Sequence, residues 1–121
     1  MSHKEETDIQ NRIMAELCKK GCKVFREQSG LFYTPYGERI RIGVEGKADL
    51  QGHRPSDGKC FYIEVKTRTG EKRKEQEKFI KAMQDSNALA GFARSVEDAI
   101  KIVFPEEKRS IVYCYGLFFI L

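Results

Sequence analysis

The chain lacks any apolar run near the roughly 20 residues that a membrane-spanning helix needs, so no such helix is expected. Its start, MSHKEETDIQ, is polar and acidic and has no leader-like apolar core. An intracellular protein is expected. Internal repeats, low-complexity tracts and linker-like stretches are missing as well. The 121 residues therefore fit a single domain, 1–121, with a core that needs no metal or disulfide staple. Paired cysteines are scarce: of Cys18, Cys22, Cys60 and Cys114, only the first two are close in sequence. A four-cysteine zinc site usually shows two such pairs, so ordinary reduced thiols are expected, with a zinc-stabilised interaction module as the rival. Charge of one sign is also modest. Lys plus Arg is 22 and Asp plus Glu is 18, a net +4 that suits a nucleic-acid partner without demonstrating one. What the chain does have is aromatic and aliphatic content: eight Phe, five Tyr and 40% apolar residues exclude a disordered polymer.

The pattern along the chain predicts a mixed α/β domain on one sheet. Ile9, Ile13 and Leu17 recur at i, i+4 and i+8, predicting a helix over 5–20 that Gly21 stops. Short extended pieces follow at 23–26, 31–34 and 39–42, punctuated by Gly30, Pro35 and Gly37. A strand is expected at 47–52, a turn at 52–58 (GHRPSDG) and the clearest strand at 60–67 (CFYIEVKT). A charged amphipathic helix is expected at 71–86 and a strand at 88–94. Ser95 caps a helix over 96–103, whose first turn carries Glu97 and Asp98. The apolar run IVYCYGLFFIL at 111–121 reads as a last strand, either central or covered by a partner chain.

Chemistry concentrates in the strand at 60–67. Alternate strand residues share a face, so Phe61, Ile63 and Val65 point one way and Tyr62, Glu64 and Lys66 the other. A solvated strand face bearing an ion pair is one explanation of Glu64 and Lys66. Asp49 offers another. If its strand forms a hairpin with this one, Asp49 faces Glu64, and two facing carboxylates repel unless a cation lies between them. Two carboxylates, a neutral oxygen such as the Val65 backbone carbonyl, and water suit Mg²⁺. Lys66 would then orient a water or stabilise charge on a phosphate. Gln76 occupies the apolar face of Phe79, Ile80 and Met83 one turn earlier, so it points at the sheet; the end of a stripe would look the same. At about 100° per residue, Glu6 falls inside the Ile9–Ile13–Leu17 stripe, unlike Glu5 and Glu16. It is either an inward carboxylate or an acid favoured by the helix dipole.

Asp49, then a strand with Glu64-Val65-Lys66, then a helix with Gln76, resembles the PD-(D/E)xK nuclease superfamily, and within it the VRR-NUC (virus-type replication–repair nuclease) branch. The matching text is ETDIQNRI, CKVFREQSG, GVEGKADLQG, FYIEVKTRTGEKRKEQEKFI and ALAGFARSVEDAIKIV, from Glu6 to Val103. Ala48 stands where the superfamily's name expects Pro, a position that carries no chemistry. The resemblance implies a restriction-endonuclease-like αβββαβ core with a mixed central sheet flanked by helices. It implies a Mg²⁺- or Mn²⁺-dependent deoxyribonuclease, an endonuclease that displaces the 3′ oxygen by in-line attack. Asp49 and Glu64 would be metal ligands, Lys66 catalytic, Gln76 a supporting residue, and Glu6 the acid of the first helix. Branched DNA such as a four-way junction, a symmetric homodimer, and the cytoplasm of a bacterial or phage-infected cell follow from the same likeness. The run at 111–121 is the leading dimer contact. A flap or nicking nuclease, or a non-catalytic nucleic-acid-binding module, are the alternatives. Candidate phosphate contacts are Arg26, Arg39, Arg41, Lys47, Arg54, Lys59, Arg68, Lys72, Arg73 and Lys74. The dense group Arg68 to Lys74 could equally be a solvated helix start.

Overall fold

The computed structural model describes residues 2–27, 30–42 and 46–106. The strand expected at 111–121, with Cys114 and the expected dimer contact, lies outside them. The elements run α1 (Ser2–Lys19), β1 (Lys23–Arg26), β2 (Gly30–Tyr33), β3 (Arg39–Ile42), β4 (Leu50–His53), β5 (Cys60–Val65), α2 (Lys74–Asp85), β6 (Leu89–Ala93) and α3 (Val96–Val103). None of these helices is long and apolar enough to cross a membrane.

The chain is α/β, with a mixed four-stranded sheet in the order β1-β4-β5-β6. β4 is antiparallel to both β1 and β5, and β6 runs parallel to β5. A parallel neighbour needs a crossover rather than a hairpin, and α2 provides it. The single sheet expected from the sequence is not what forms. Among the described residues β2 and β3 pair with each other, as a separate two-stranded sheet inserted between β1 and β4.

Strand alternation gives the main sheet two unlike faces. Phe61, Ile63 and Val65 on β5 join Leu50 and Ala93 with Ile13 and Leu17 of α1 and Ala99 and Val103 of α3 in one core, all fully buried. Burial of each such large side chain contributes about 1.5–3 kcal/mol. The opposite face carries Tyr62, Glu64 and Phe92, and α2 covers it over β5 and β6. There Tyr62 meets Phe79 edge-on, with ring centres 5.5 Å apart.

Several boundaries differ from the sequence reading for local reasons. β4 starts at Leu50 rather than residue 47, because Asp49 turns its side chain onto β5 instead of continuing the ladder. Gly52 and His53 belong to β4, so the turn begins at Arg54. α2 starts at Lys74 rather than residue 71; Arg73 is still extended, and its N–H donates to Gln76 Oε1 at 3.0 Å, closing the first turn from inside. α3 has the expected bounds. Ser95 Oγ accepts from the Asp98 N–H at 3.1 Å, and Asp98 Oδ2 accepts from the Arg94 N–H at 2.9 Å. Arg54, one of the candidate phosphate contacts, is buried. Its guanidinium donates to Asp57, to Glu106 at 2.6 Å and to the Val103 carbonyl at 2.8 Å. It ties the β4–β5 turn to the end of α3 and is unavailable to a substrate.

Gly52 is where the sheet admits no side chain: a Cβ there would lie 1.8 Å from the Lys23 carbonyl oxygen and 2.8 Å from the Phe61 ring. Gly52→Ala should therefore cost about 3 kcal/mol or more, read from the urea midpoint. Gly37→Ala, at a left-handed turn with open space around it, should cost no more than about 1–2 kcal/mol. Equal midpoints for the two variants would contradict this packing.

Candidate active site

The β4–β5 register pairs Leu50 with Ile63, so the next position places Asp49 opposite Glu64. Two hydrogen bonds fix Asp49. Its backbone carbonyl accepts from the Glu27 N–H at 2.8 Å, and its Oδ2 accepts from the Val65 N–H at 2.9 Å. In an antiparallel pair a residue's N–H and C=O face the same neighbour, so the Val65 carbonyl is also on the Asp49 side. Glu64 is 4% exposed. Its Oε2 accepts from Gln76 Nε2 at 2.6 Å and lies 3.8 Å from Lys66 Nζ. Lys66 is itself buried, and its N–H donates to the Ala93 carbonyl at 2.9 Å, extending the β5–β6 pairing by one rung. Four of the residues singled out in the sequence thus come together: Asp49, Glu64, Lys66 and Gln76.

The electrostatics are those of a crowded acid pair. Burial pushes the Glu64 carboxyl up to about 8, Asp49 facing it pushes the same way, and Lys66 opposes. Burial also raises Asp49, against the Val65 N–H that favours its ionised form. Glu64 Oε1 is buried and accepts from no N–H or O–H donor among the described residues, but the Glu64 and Asp49 carboxyls hydrogen-bond each other when one of them holds a proton. An orphaned buried carboxylate oxygen costs free energy unless something binds it. Asp49, Glu64 and the Val65 carbonyl are hard oxygen donors, the type that could hold Mg²⁺ or Mn²⁺ with water completing the shell. Among the described residues no three His, Cys, Asp or Glu converge on a metal-sized site.

Glu6, the candidate on the first helix, belongs to α1. It is half-buried on α1, which packs on the opposite face of the sheet. Arg26 lies on that opposite face too, with its guanidinium donating to Gln10 and Asn11 of α1. Lys47 stays near the site but pairs with Glu27 at 2.9 Å. Arg68, Lys72, Arg73 and Lys74 are exposed along the segment joining Lys66 to α2. Lys72 Nζ sits over the Phe92 ring, 4.6 Å from its centre.

Sequence reasoning missed three residues. Arg94 donates to the carbonyls of Thr67 at 2.5 Å, Arg68 at 3.3 Å and Gly70 at 2.8 Å, clamping the loop that leaves Lys66. It also lines a cleft of about 380 Å³ with Arg68, Arg12 and the start of α3. Gly46, with φ +79°, lets the chain before Asp49 press on α2, where a Cβ would lie 2.4 Å from the Glu75 carbonyl oxygen. Gln51 shares the face of Asp49 and Glu64, and its Oε1 is buried without a partner among the described residues. Only Gly46 left a sequence signal, the glycine pair bracketing residues 44 and 45.

Glu64 takes up a proton on folding wherever the pH lies between its ordinary value of 4.5 and about 8. Its contribution to stability is full below 4.5 and is lost as pH rises toward 8. In EDTA, the wild-type unfolding free energy should fall across that window, and Glu64→Gln should flatten the fall. An unchanged slope in the variant, measured by urea titration at several pH values, would mean that Glu64 is ionised throughout.

No protein-family model matches the chain, and comparison with curated proteins and solved structures finds no significant match.

Proposed function

We propose that this chain is a metal-dependent deoxyribonuclease of the PD-(D/E)xK superfamily, with a restriction-endonuclease-like core and the VRR-NUC arrangement of site residues. The observation that carries the reading is the buried acid pair: Glu64 lies opposite Asp49, one of its oxygens is held by Gln76 near Lys66, and the other is buried with no donor among the described residues. A proton or a cation must occupy such a place. The order helix, strand, strand, strand, helix, strand supports the core, provided the β2–β3 hairpin is read as an insertion.

Mg²⁺ or Mn²⁺, when bound, would polarise a phosphate oxygen and acidify a water. Asp49, Glu64 and the Val65 carbonyl would hold it. Gln76 fixes the rotamer of Glu64 and so decides which oxygen faces Asp49. Lys66 presents its ammonium beside the carboxylates, where it orients the attacking water and stabilises charge developing on the scissile phosphate as the 3′ oxygen leaves. Arg94 is a positioning residue, since it holds the loop that carries Lys66 into the basic segment. Arg68, Lys72, Arg73 and Lys74 contact flanking phosphates. A branched DNA substrate such as a four-way junction needs two cuts, and a symmetric homodimer provides two sites.

The test is cleavage of duplex, single-stranded, flap and four-way-junction DNA with Mg²⁺ or Mn²⁺. Lys66→Ala and Glu64→Ala should each lower the rate by about 100-fold or more while DNA binding persists. Arg68→Ala and Lys74→Ala should leave the site intact and each reduce the slope of log affinity against log salt by about 1. Binding without cutting, indifferent to Glu64→Ala, would make the protein a nucleic-acid-binding module. Sedimentation at micromolar concentration checks the homodimer.

A further inference from the structure

Every exposed large apolar side chain among the described residues lies on β1 or in the inserted hairpin: Phe25, Leu31, Phe32, Tyr33, Tyr36 and Ile40. The hairpin pairs Leu31 with Arg41, Phe32 with Ile40 and Tyr33 with Arg39. Its two strands form a sheet of their own and share no register with the main sheet. A two-stranded hairpin is marginal in water, and among the described residues no core covers its apolar side chains.

The tip is nonetheless tightly built. Thr34 Oγ1 accepts from the N–H groups of Tyr36 at 3.2 Å and Glu38 at 3.0 Å. The Thr34 N–H donates to the Glu38 carbonyl at 2.8 Å, and the Gly37 N–H donates to the Thr34 carbonyl at 2.9 Å. Gly37 takes the left-handed conformation that closes the turn, with φ +86°. The turn fixes the backbone at Tyr36 and holds its side chain 90% exposed, with nothing over the ring among the described residues.

The insertion also leaves the sheet at a telling place. β1 ends at Arg26, and Glu27 beyond it binds the Asp49 carbonyl through its N–H and Lys47 through its carboxylate. That ion pair clamps the two feet of the insertion, and the returning foot is two residues from Asp49. Phe25 is paired with Gln51 and so lies on the sheet face of Asp49 and Glu64, where α2 does not cover it.

We propose that the β2–β3 hairpin is a nucleic-acid-engaging finger in which Tyr36 stacks on an unpaired base and Arg39 binds the adjoining phosphate. The inference rests on the nuclease reading for its ligand class. Aromatic rings bind bases through their shared π-face, independently of sequence. Within 30–42, Arg39 and Arg41 stand against Glu38, a net +1 at the projecting end that favours a polyanion. The length of β2 and its turn gives the tip a reach of up to about 20 Å, the span of about six base-pair steps. The finger therefore selects DNA with unpaired bases near the cut, such as a branch point or a single-stranded arm.

Fluorescence anisotropy of the full chain in EDTA, with labelled single-stranded, four-way-junction and blunt duplex DNA, tests this. Tyr36→Ala should weaken single-stranded and junction binding about ten-fold and duplex binding by less than about two-fold. Tyr36→Phe should retain wild-type binding. Wild-type binding unaltered by Tyr36→Ala would overturn the finger while leaving the nuclease reading intact. A fall in sedimentation coefficient caused by Tyr36→Ala would overturn it too, by making the hairpin a contact between copies. Wild-type protein that binds Tyr36-dependently but never cuts would sustain the finger and sink the nuclease. No DNA binding at all by the wild type would sink both.

Discussion

Two carboxyl groups that strand pairing forces together in a nearly dry place, Asp49 and Glu64, are the constraint around which the other parts are arranged. Unit charges about 4 Å apart repel by about 4 kcal/mol at the effective dielectric of a protein, and burial adds to the cost. A sheet selected only for stability does better with apolar side chains at such positions. Here the pair is present, Glu64 Oε1 has no donor among the described residues, and both carboxyls are held protonated more readily than usual. Lys66 offsets part of the repulsion but reaches only the Gln76-bound oxygen of Glu64, at 3.8 Å. The remaining deficit is what raises both carboxyls, and a proton shared between them or a bound cation would relieve it.

Holding that pair in place takes three ties, and each joins different elements. Gln76 has two jobs that fix its amide orientation. Its oxygen accepts from the Arg73 N–H and its nitrogen donates to Glu64. Turning the amide over would set oxygen against carboxylate and nitrogen against an N–H. The start of α2 and the rotamer of Glu64 are thus set together. Gly46 presses the chain before Asp49 onto the Glu75 backbone in the same first turn. Arg94, from the end of β6, gathers three carbonyls of the loop after Lys66. A change in any of these acts on the site without touching a substrate.

How much of this was readable beforehand follows from which interactions are local. Residue alternation in CFYIEVK assigned the faces of β5, and one expected hairpin put Asp49 across from Glu64, as the β4–β5 register does. The stripe of Phe79, Ile80 and Met83 turned Gln76 inward, where it is 5% exposed. Both are periodicities of a single element. Glu6 stayed open between an inward carboxylate and an acid favoured by the helix dipole, because a helical stripe tells which side of α1 faces the sheet, not which face of the sheet it meets. Arg54 was misread because its partners Val103 and Glu106 are about fifty residues away, so its charge looked unspent. The separate β2–β3 sheet escaped for a similar reason: short extended pieces carry no mark of the strand they will pair with. Arg94 was legible only as a strand end, since carbonyl acceptors leave no trace in a sequence.

The unequal cover of the sheet links the acid pair to the kind of molecule that could reach it. α1 and α3 seal one face over β5, with Phe61, Ile63 and Val65 at zero exposure. Among the described residues α2 covers the other face over β5 and β6, and toward β1 the cover thins, with Gln51 half-buried and Phe25 54% exposed. Small-molecule sites are concave and largely enclosed. A half-covered face with acids at the edge of the cover suits a long substrate that lies across it. The exposed basic segment between Lys66 and Gln76 borders that edge on one side. The insertion clamped by Glu27 and Lys47 rises from the other. Both are sequence-adjacent to site residues, Lys66 and Asp49 respectively, so the contacts that would position a polyanion are coupled through two or three residues of backbone to the groups that would act on it.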